Sequence, residues 1–426
     1  YRTPTPHPLA ELYGAFLSLF GGAADRIFVL TTVACFLGLL VVVFRFTQHL
    51  LGTLIAGAAV VLLLTRTDLE FYAMRAVVDV PFLLMIFAAA LIELKRPRAG
   101  MPVLVLLGLA GLLRPEAWVF SGAYVLWLYP AVGWPRIVRY AAVAAIAPLL
   151  WVISDWIFTG HPLHSLTSTR DVAGQFGRNR SVPSAVGQIP SYVGANEKIV
   201  NDAVGGLGCL LAIYLLRRRA SLAAGLMAIG LFTFLVIAAA GLSVIPRYLA
   251  IPSILFNISV AVALTGWIVV KEPKRAHRLF LALFVFTLLV GAWRAIPYSK
   301  DFRKLHGQET FVKGQHASLK AILDDPKVVP LLDHCRPITT PTHSAIPVIR
   351  FVTGMPKDAF EPSIAQKRPP EKGLLLVGST FNFEPSAARS TSGVSERSAR
   401  QWWSNYPLST FKFVAGNARW RVYQNC

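Results

Sequence analysis

The sequence predicts a mainly α, polytopic transmembrane helical bundle of about ten helices in this chain, followed by a small C-terminal extracytoplasmic α/β domain. Three observations predict it. Of the 426 residues 54% are hydrophobic and 15% charged, against about 25% charged in ordinary soluble domains. The apolar residues gather into runs close to the roughly 17–25 residues that carry a helix across the hydrocarbon core. The surplus of Lys and Arg sits largely in short loops between those runs, where cytoplasmic loops carry it.

In chain order, residues 7–20 read as a short amphipathic helix suited to the membrane interface. Apolar runs follow at 27–44, 50–65, 80–94, 140–158, 222–244, 249–270 and 279–292, with shorter or interrupted ones at Met101–Leu113, 118–131 and 203–216. Residues 1–25 are expected to form an external loop and interfacial helix, 26–295 the transmembrane domain, and 296–426 the extracytoplasmic domain. In the last of these, 321–326 ends a helix, 348–352 and Gly373–Gly378 read as buried strands, and 410–414 with 420–423 as a closing pair. The stretches 362–372 and 386–398 read as exposed loops. Between runs, 159–201 is a long polar excursion, and long external loops are more often functional than mere connectors.

The formal net charge of +20 raises nucleic acid as a partner, but its placement excludes that reading. Lys95, Arg96 and Arg98; Arg136 and Arg139; Arg217 to Arg219; and the basic residues of 271–278 occupy the short loops. With these loops cytoplasmic, ten crossings alternate without conflict. The segments 65–79, 114–116, 159–201 and 245–248, with both termini, then lie outside a cell (plasma) membrane. The sequence opens on Tyr1 inside a polar, proline-rich stretch, which is expected of a fragment lacking at least one upstream helix. Cys35 and Cys209 sit in apolar runs as packing residues. Cys335 and Cys426 fall in the tail, where an oxidising compartment favours a disulfide between them; two unrelated thiols are the plainer alternative.

Candidate chemistry concentrates at the expected outer helix ends. The stretch 65–82 holds Asp68, Glu70 and Asp79 with Arg66 and Arg75, and ionisable groups at membrane depth are costly and usually functional. Asp79 enters an apolar helix whose Pro81 falls in the first turn, where a missing N–H costs nothing. Asp79 is therefore either a functional carboxylate or a helix cap with Arg75 as its surface partner. Arg114 and Glu116 flank Pro115 in a minimal break between apolar runs; this is either an ordinary turn with a capping Glu, or a guanidinium placed for bidentate phosphate binding. Arg247 and Tyr248 stand at another external boundary, as interfacial anchors or as site residues. Asp155 with His161 and His164 forms a fourth group, the two histidines reading as loop residues. Zinc spacing, a P-loop and a dinucleotide fingerprint are absent from the sequence, so no cofactor is indicated, and neither is a divalent metal.

Taken together, Thr5-Pro6-His7-Pro8-Leu9, Arg75-Ala76-Val77-Val78-Asp79-Val80-Pro81, Leu113-Arg114-Pro115-Glu116-Ala117-Trp118 and Arg247-Tyr248 resemble motifs of the GT-C superfamily of membrane glycosyltransferases. The likeness is to bacterial members of the protein mannosyltransferase and aminoarabinose transferase type, and it covers about residues 1–295. It implies an inverting transfer of a sugar from a polyprenyl-phosphate carrier to a glycan, lipid or protein acceptor. It matches Asp79 to the family's second acidic position. The family's principal catalytic acid precedes the His-Pro segment, so it would lie upstream of residue 1, leaving Asp79, Glu70 and Asp68 as the catalytic candidates here. A carboxylate would serve as general base. Cations would stabilise the departing lipid phosphate, drawn from Arg75, Arg114, Arg170 and Arg247, with His7, Glu116 and Tyr248 also in the binding site. A transporter or flippase is the competing class. It would show broken helices near the midplane in symmetry-related halves, whereas the charged residues here collect at one face. A non-catalytic scaffold would leave Asp79, Arg114 and Arg247 without a shared purpose.

Overall fold

The computed structural model describes residues 6–175, 181–196, 202–216, 220–340, 345–362, 371–378 and 410–426. The basic segment 217–219, Arg178, Arg180 and the loop 386–398 lie outside the described residues. The chain divides into two units. One comprises residues 6–167 and 179–302; the other comprises 168–178 and 303–426, with residues 1–5.

The first unit holds α1 (Pro8–Leu17), α2 (Ala24–Leu51), α3 (Thr53–Leu63), α4 (Thr67–Met74), α5 (Asp79–Lys95), α6 (Met101–Leu113), α7 (Glu116–Leu128) and α8 (Trp134–Thr159). α9 (His164–Gln175) begins in it, and α10 (Val182–Asn196), α11 (Asp202–Leu216), α12 (Ala220–Ala239) and α13 (Ala250–Val269) follow. α14 (Lys274–Leu323) runs 50 residues, and the division between the units falls within it.

All ten apolar runs are helical, and the chain is a multi-pass membrane protein. Among the described residues, five helices are long and apolar enough to cross a membrane, Pro8–Leu51, Trp134–Thr159, Ser221–Ala239, Pro246–Val269 and Lys274–Ile296, and α4 with α5 makes a sixth if that pair, bent by 114°, is one span. α3 has 11 residues and α6 has 13, about 17–20 Å at 1.5 Å per residue, against a hydrocarbon core of about 30 Å. Gly52, at φ 94°, separates α3 from α2, a conformation in which a Cβ would clash.

The break after α4 is hydrogen-bonded. α4 ends where the Thr32 hydroxyl of α2 donates to Ala73 O at 2.7 Å and Val77 N–H to Tyr72 O at 2.9 Å. α13 lies at the centre, buried from Ala250 to Ala263 along nearly every face. α11 approaches it through Gly205 and Gly208: a Cβ on Gly208 would stand 2.2 Å from Ser259 O, the close approach that small residues permit between membrane helices.

The long polar excursion after Thr159 is largely helical, forming α9 and α10. Asp155 anchors its start, accepting from Ser165 N–H at 2.8 Å and Ser165 Oγ at 2.7 Å.

The second unit contains the end of α14, α15 (Val329–His334), β1 (Ile338–Thr340), α16 (Ile346–Thr353), β2 (Phe360–Pro362), β3 (Gly373–Gly378), β4 (Lys412–Gly416) and β5 (Trp420–Asn425). The sheet order is β2-β1-β3-β5-β4, with β1 parallel to β2 and β3 and β5 antiparallel to β3 and β4. β3 is buried at every residue, which explains its unbroken apolar run. Trp420 fills the core and donates from Nε1 to Gln315 O of α14 at 3.1 Å. The segment 348–352, expected as a strand, is part of α16. Pro347 at its start and Gly354 in the left-handed region at its end delimit one helix, and Ile346 and Ile349 share its buried side, a helical spacing that a five-residue window conceals. Cys335 and Cys426 form a disulfide with Cα atoms 5.6 Å apart. Cys35 and Cys209 are free and half-buried.

Candidate active site

The site grows from the break between α6 and α7. Pro115 disfavours the helical region for the residue before it, and Arg114 is accordingly extended at φ −147°, ψ 129°. That one residue leaves the helical path, and its guanidinium enters the protein interior, 5% exposed. Arg114 Nη1 donates to Asp79 Oδ1. Arg114 Nε and Nη2 donate to Glu116 Oε1 at 3.0 and 2.5 Å. The rings of Tyr248 and Phe82 face the guanidinium at 4.9 and 5.4 Å, a cation–π environment that tolerates its charge.

Asp79 is the first residue of α5; Val78 occupies the N-cap position and no side-chain cap bond forms. The carboxylate is therefore not a helix cap, and Arg75 is not its surface partner. Arg75 lies over the Phe71 ring at 4.5 Å, while Asp79 is met by Arg114 and by Arg247, whose Nη1 stands 4.0 Å from Asp79 Oδ2. Asp79 is 1% exposed and the Arg247 side chain 39%. Asp79 Oδ2 and Arg247 Nε are both buried and accept or donate no hydrogen bond. Unsatisfied buried polar atoms are costly; here they are an acceptor on Asp79 and a donor on Arg247, the partly exposed member of the cluster. Glu116, expected as a possible cap, likewise turns to Arg114 and makes no cap bond.

His7 joins from a distant part of the chain. Its Nδ1 lies 2.7 Å from Leu113 O, and a carbonyl only accepts, so Nδ1 carries the proton and Nε2 is left as an acceptor. The ring meets Trp151 edge-on at 5.9 Å. Burial, with further help from Arg114 and Arg247, lowers its pKa below the ordinary 6.5.

Asp68 and Glu70 do not join this ion pair. Asp68 is engaged by Arg66, which donates from Nε at 3.0 Å and Nη2 at 2.7 Å and also reaches Ser253 Oγ on α13 at 2.5 Å. Glu70 is half-buried on α4. Arg170, on α9, belongs to the second unit. Arg66, noted in the 65–82 stretch but given no role there, is buried at 3% exposure, which only the fold shows. Among the described residues, no group of three His, Cys, Asp or Glu side chains could hold a metal ion, and the space between Asp79 and Glu116 is filled by a guanidinium.

The fold has counterparts among solved structures. Among solved structures, the chain is similar to ArnT from Cupriavidus metallidurans bound to undecaprenyl phosphate, with a TM-score of 0.52 and 13% identity over 100% of this chain and 88% of that one. It is similar also to the same protein in the apo state, with a TM-score of 0.52 and 15% identity over 98% and 87%. An Archaeoglobus fulgidus oligosaccharyltransferase tethered with an acceptor peptide aligns at a TM-score of 0.46 and 12% identity over 66% of its chain, too weak a likeness to carry an argument. No family model matches the chain, and no curated protein does.

Proposed function

We propose that this protein is a membrane glycosyltransferase that moves a sugar from a polyprenyl-phosphate carrier to a glycan, lipid or protein acceptor on the extracytoplasmic side of the plasma membrane, with inversion at the anomeric carbon. The observation that carries the reading is the Asp79–Arg114–Arg247 arrangement: a buried carboxylate with one oxygen held by a committed guanidinium, and the other unbonded beside a half-exposed one.

In this reading Asp79 accepts the proton of the attacking hydroxyl as general base. Arg114 cannot serve the lipid phosphate, because both its faces are taken by Asp79 and Glu116; it holds Asp79 charged and oriented. Arg247, half-open and bonded only loosely, is the cation that receives the phosphate as it departs, with Tyr248 packed against it at 5.6 Å. The likeness to a protein bound to undecaprenyl phosphate supports the donor class. The basic short loops support the sidedness, which puts residues 296–426 outside, on the side of the acceptor.

The test is transfer of labelled sugar from a panel of polyprenyl-phosphate sugars in proteoliposomes, with Arg247→Gln beside the wild type. Transfer by the wild type and a weakened response to donor concentration in the variant are expected. Translocation of the lipid by the wild type without sugar transfer would replace this reading with a flippase.

A further inference from the structure

At the far end of α5 a second carboxylate is built into the protein in a different way. Glu93 stands 14 residues from Asp79, about 21 Å along the helix. It is 6% exposed, and it accepts from Arg98 N–H at 2.7 Å, Ala99 N–H at 3.2 Å, Tyr124 OH at 2.7 Å and Trp127 Nε1 at 3.0 Å. Those bonds hold the turn after α5 so firmly that Arg98, a residue with a Cβ, sits at φ 62°, a conformation retained where the surroundings over-determine it.

Beside this turn lies a cavity of about 680 Å³ between α5, α6, α7 and α12, within the roughly 300–1,000 Å³ of ligand sites. Ile86, Ala90, Leu107, Phe120, Leu222 and Ile229 give it an apolar wall. Its rim is of the opposite character. Pro97, Trp127 and His49 line it, Arg98 lies 5.8 Å over the Trp127 ring, and Arg45, His49, Lys95, Arg96 and Arg98 are exposed on the two segments that frame it. Glu93, the lone carboxylate in 44–53 and 93–100, also lines the cavity; its charge is shared among four hydrogen-bond donors and is outnumbered by the basic residues of the rim.

An apolar slot opening among cations between membrane helices matches one amphiphile: an anionic chain lipid. Arginine binds phosphate oxygens in pairs, and basic pockets between transmembrane helices hold anionic head groups. We infer that this cavity is a binding site for an anionic membrane phospholipid, one acyl chain between α5, α7 and α12 and the head-group phosphate held by Arg96 and Arg98. The site stands apart from the Asp79 cluster and does not depend on the proposed reaction.

Reconstitution in nanodiscs of equal phosphatidylglycerol and phosphatidylcholine, release, and native mass spectrometry read it directly. The wild type is expected to retain one phosphatidylglycerol in preference to phosphatidylcholine. Arg96→Gln with Arg98→Gln, both on the surface, should reduce that preference by roughly tenfold or more, from the loss of two interfacial cations. Gly225→Leu should abolish retention: Gly225 lines the cavity and a Cβ there meets nothing within 4 Å, so the new side chain fills the slot without displacing the backbone. No lipid preference in the wild type, undiminished retention in Gly225→Leu, or displacement of phosphatidylglycerol by undecaprenyl phosphate would overturn the inference, the last by making the cavity a seat for a polyprenyl tail.

Discussion

Arg114 and Asp79, 35 residues apart in the chain and at the ends of different helices, form a buried ion pair in which each side chain is almost wholly withdrawn from solvent. Glu116 shares the same guanidinium, and Arg247 closes the balance at two cations to two carboxylates. Removing one member of such a set leaves a buried charge without compensation, which costs far more than the intact pair contributes.

Arg114→Ala is therefore expected to destabilise the protein by about 3–5 kcal/mol, the range for a broken buried pair, and to lower its melting temperature in detergent. Arg75→Ala, at a half-buried site over Phe71, should shift it far less. Equal shifts would show that the Arg114 cluster carries no special electrostatic weight.

Pro115→Ala removes the restraint that keeps Arg114 extended. The expected outcome is a folded protein with reduced transfer activity, because α6 and α7 can then close toward a continuous helix and draw the guanidinium away from Asp79. Unchanged activity and an unchanged response of activity to ionic strength would mean that packing alone fixes Arg114.

Asp79→Asn keeps the volume and removes the charge. Loss of a general base commonly costs about 10²–10⁴-fold in rate, so a drop of that order in turnover with normal membrane insertion is expected, measured as sugar transferred per protein. The corresponding variants Asp68→Asn and Glu70→Gln should lose less, since Asp68 is engaged by Arg66 and neither touches Arg114. A full-rate Asp79→Asn enzyme would reduce that carboxylate to a partner of Arg114.

His7 adds a pH dependence with a definite sign. Its folded pKa is lowered by burial from the ordinary 6.5, so the unfolded chain binds the proton more readily. Its contribution to stability is intact above pH 6.5 and is lost as the pH falls from there through the folded value. His7→Gln should flatten that acid-side decline in thermal stability; an identical decline in both proteins would assign it to other groups.

In the second unit, the Cys335–Cys426 bridge closes a separation of 91 residues. Constraining so long a loop in the unfolded chain is worth about 4–5 kcal/mol in the loop-entropy account. Cys335→Ser with Cys426→Ser is expected to make residues 303–426 susceptible to limited proteolysis while the helices of the first unit stay protected. Equal protease resistance with and without the bridge would show that Trp420 and its neighbours suffice.

How much of this was legible in the sequence can be argued from particular residues. The ten apolar runs are helical because a continuous apolar segment in a bilayer has to satisfy its own backbone, and the helix is the local way to do so. The closing pair of strands and the buried Gly373–Gly378 strand were legible for the same kind of reason, a local pattern of burial. The 348–352 segment differs from the expected strand because Pro347 and Gly354, which delimit the helix, lie outside the short stretch of four apolar residues and Arg350 that suggested a strand.

The sequence by itself determined the membrane class, the placement of charge at helix ends, and the residue types from which a site could be built. Pro115 even dictated, locally, that Arg114 would leave its helix. The tertiary structure decided which charges meet. It turned Asp79 and Glu116 away from capping and onto Arg114, gave Asp68 to Arg66, and brought His7 to Leu113. Spacing along a chain constrains neighbours within a turn or two of helix. An ion pair across 35 residues, or a hydrogen bond across 187 as for Arg66 with Ser253, depends on how helices pack, and packing is set by the sum of many weak contacts rather than by any motif.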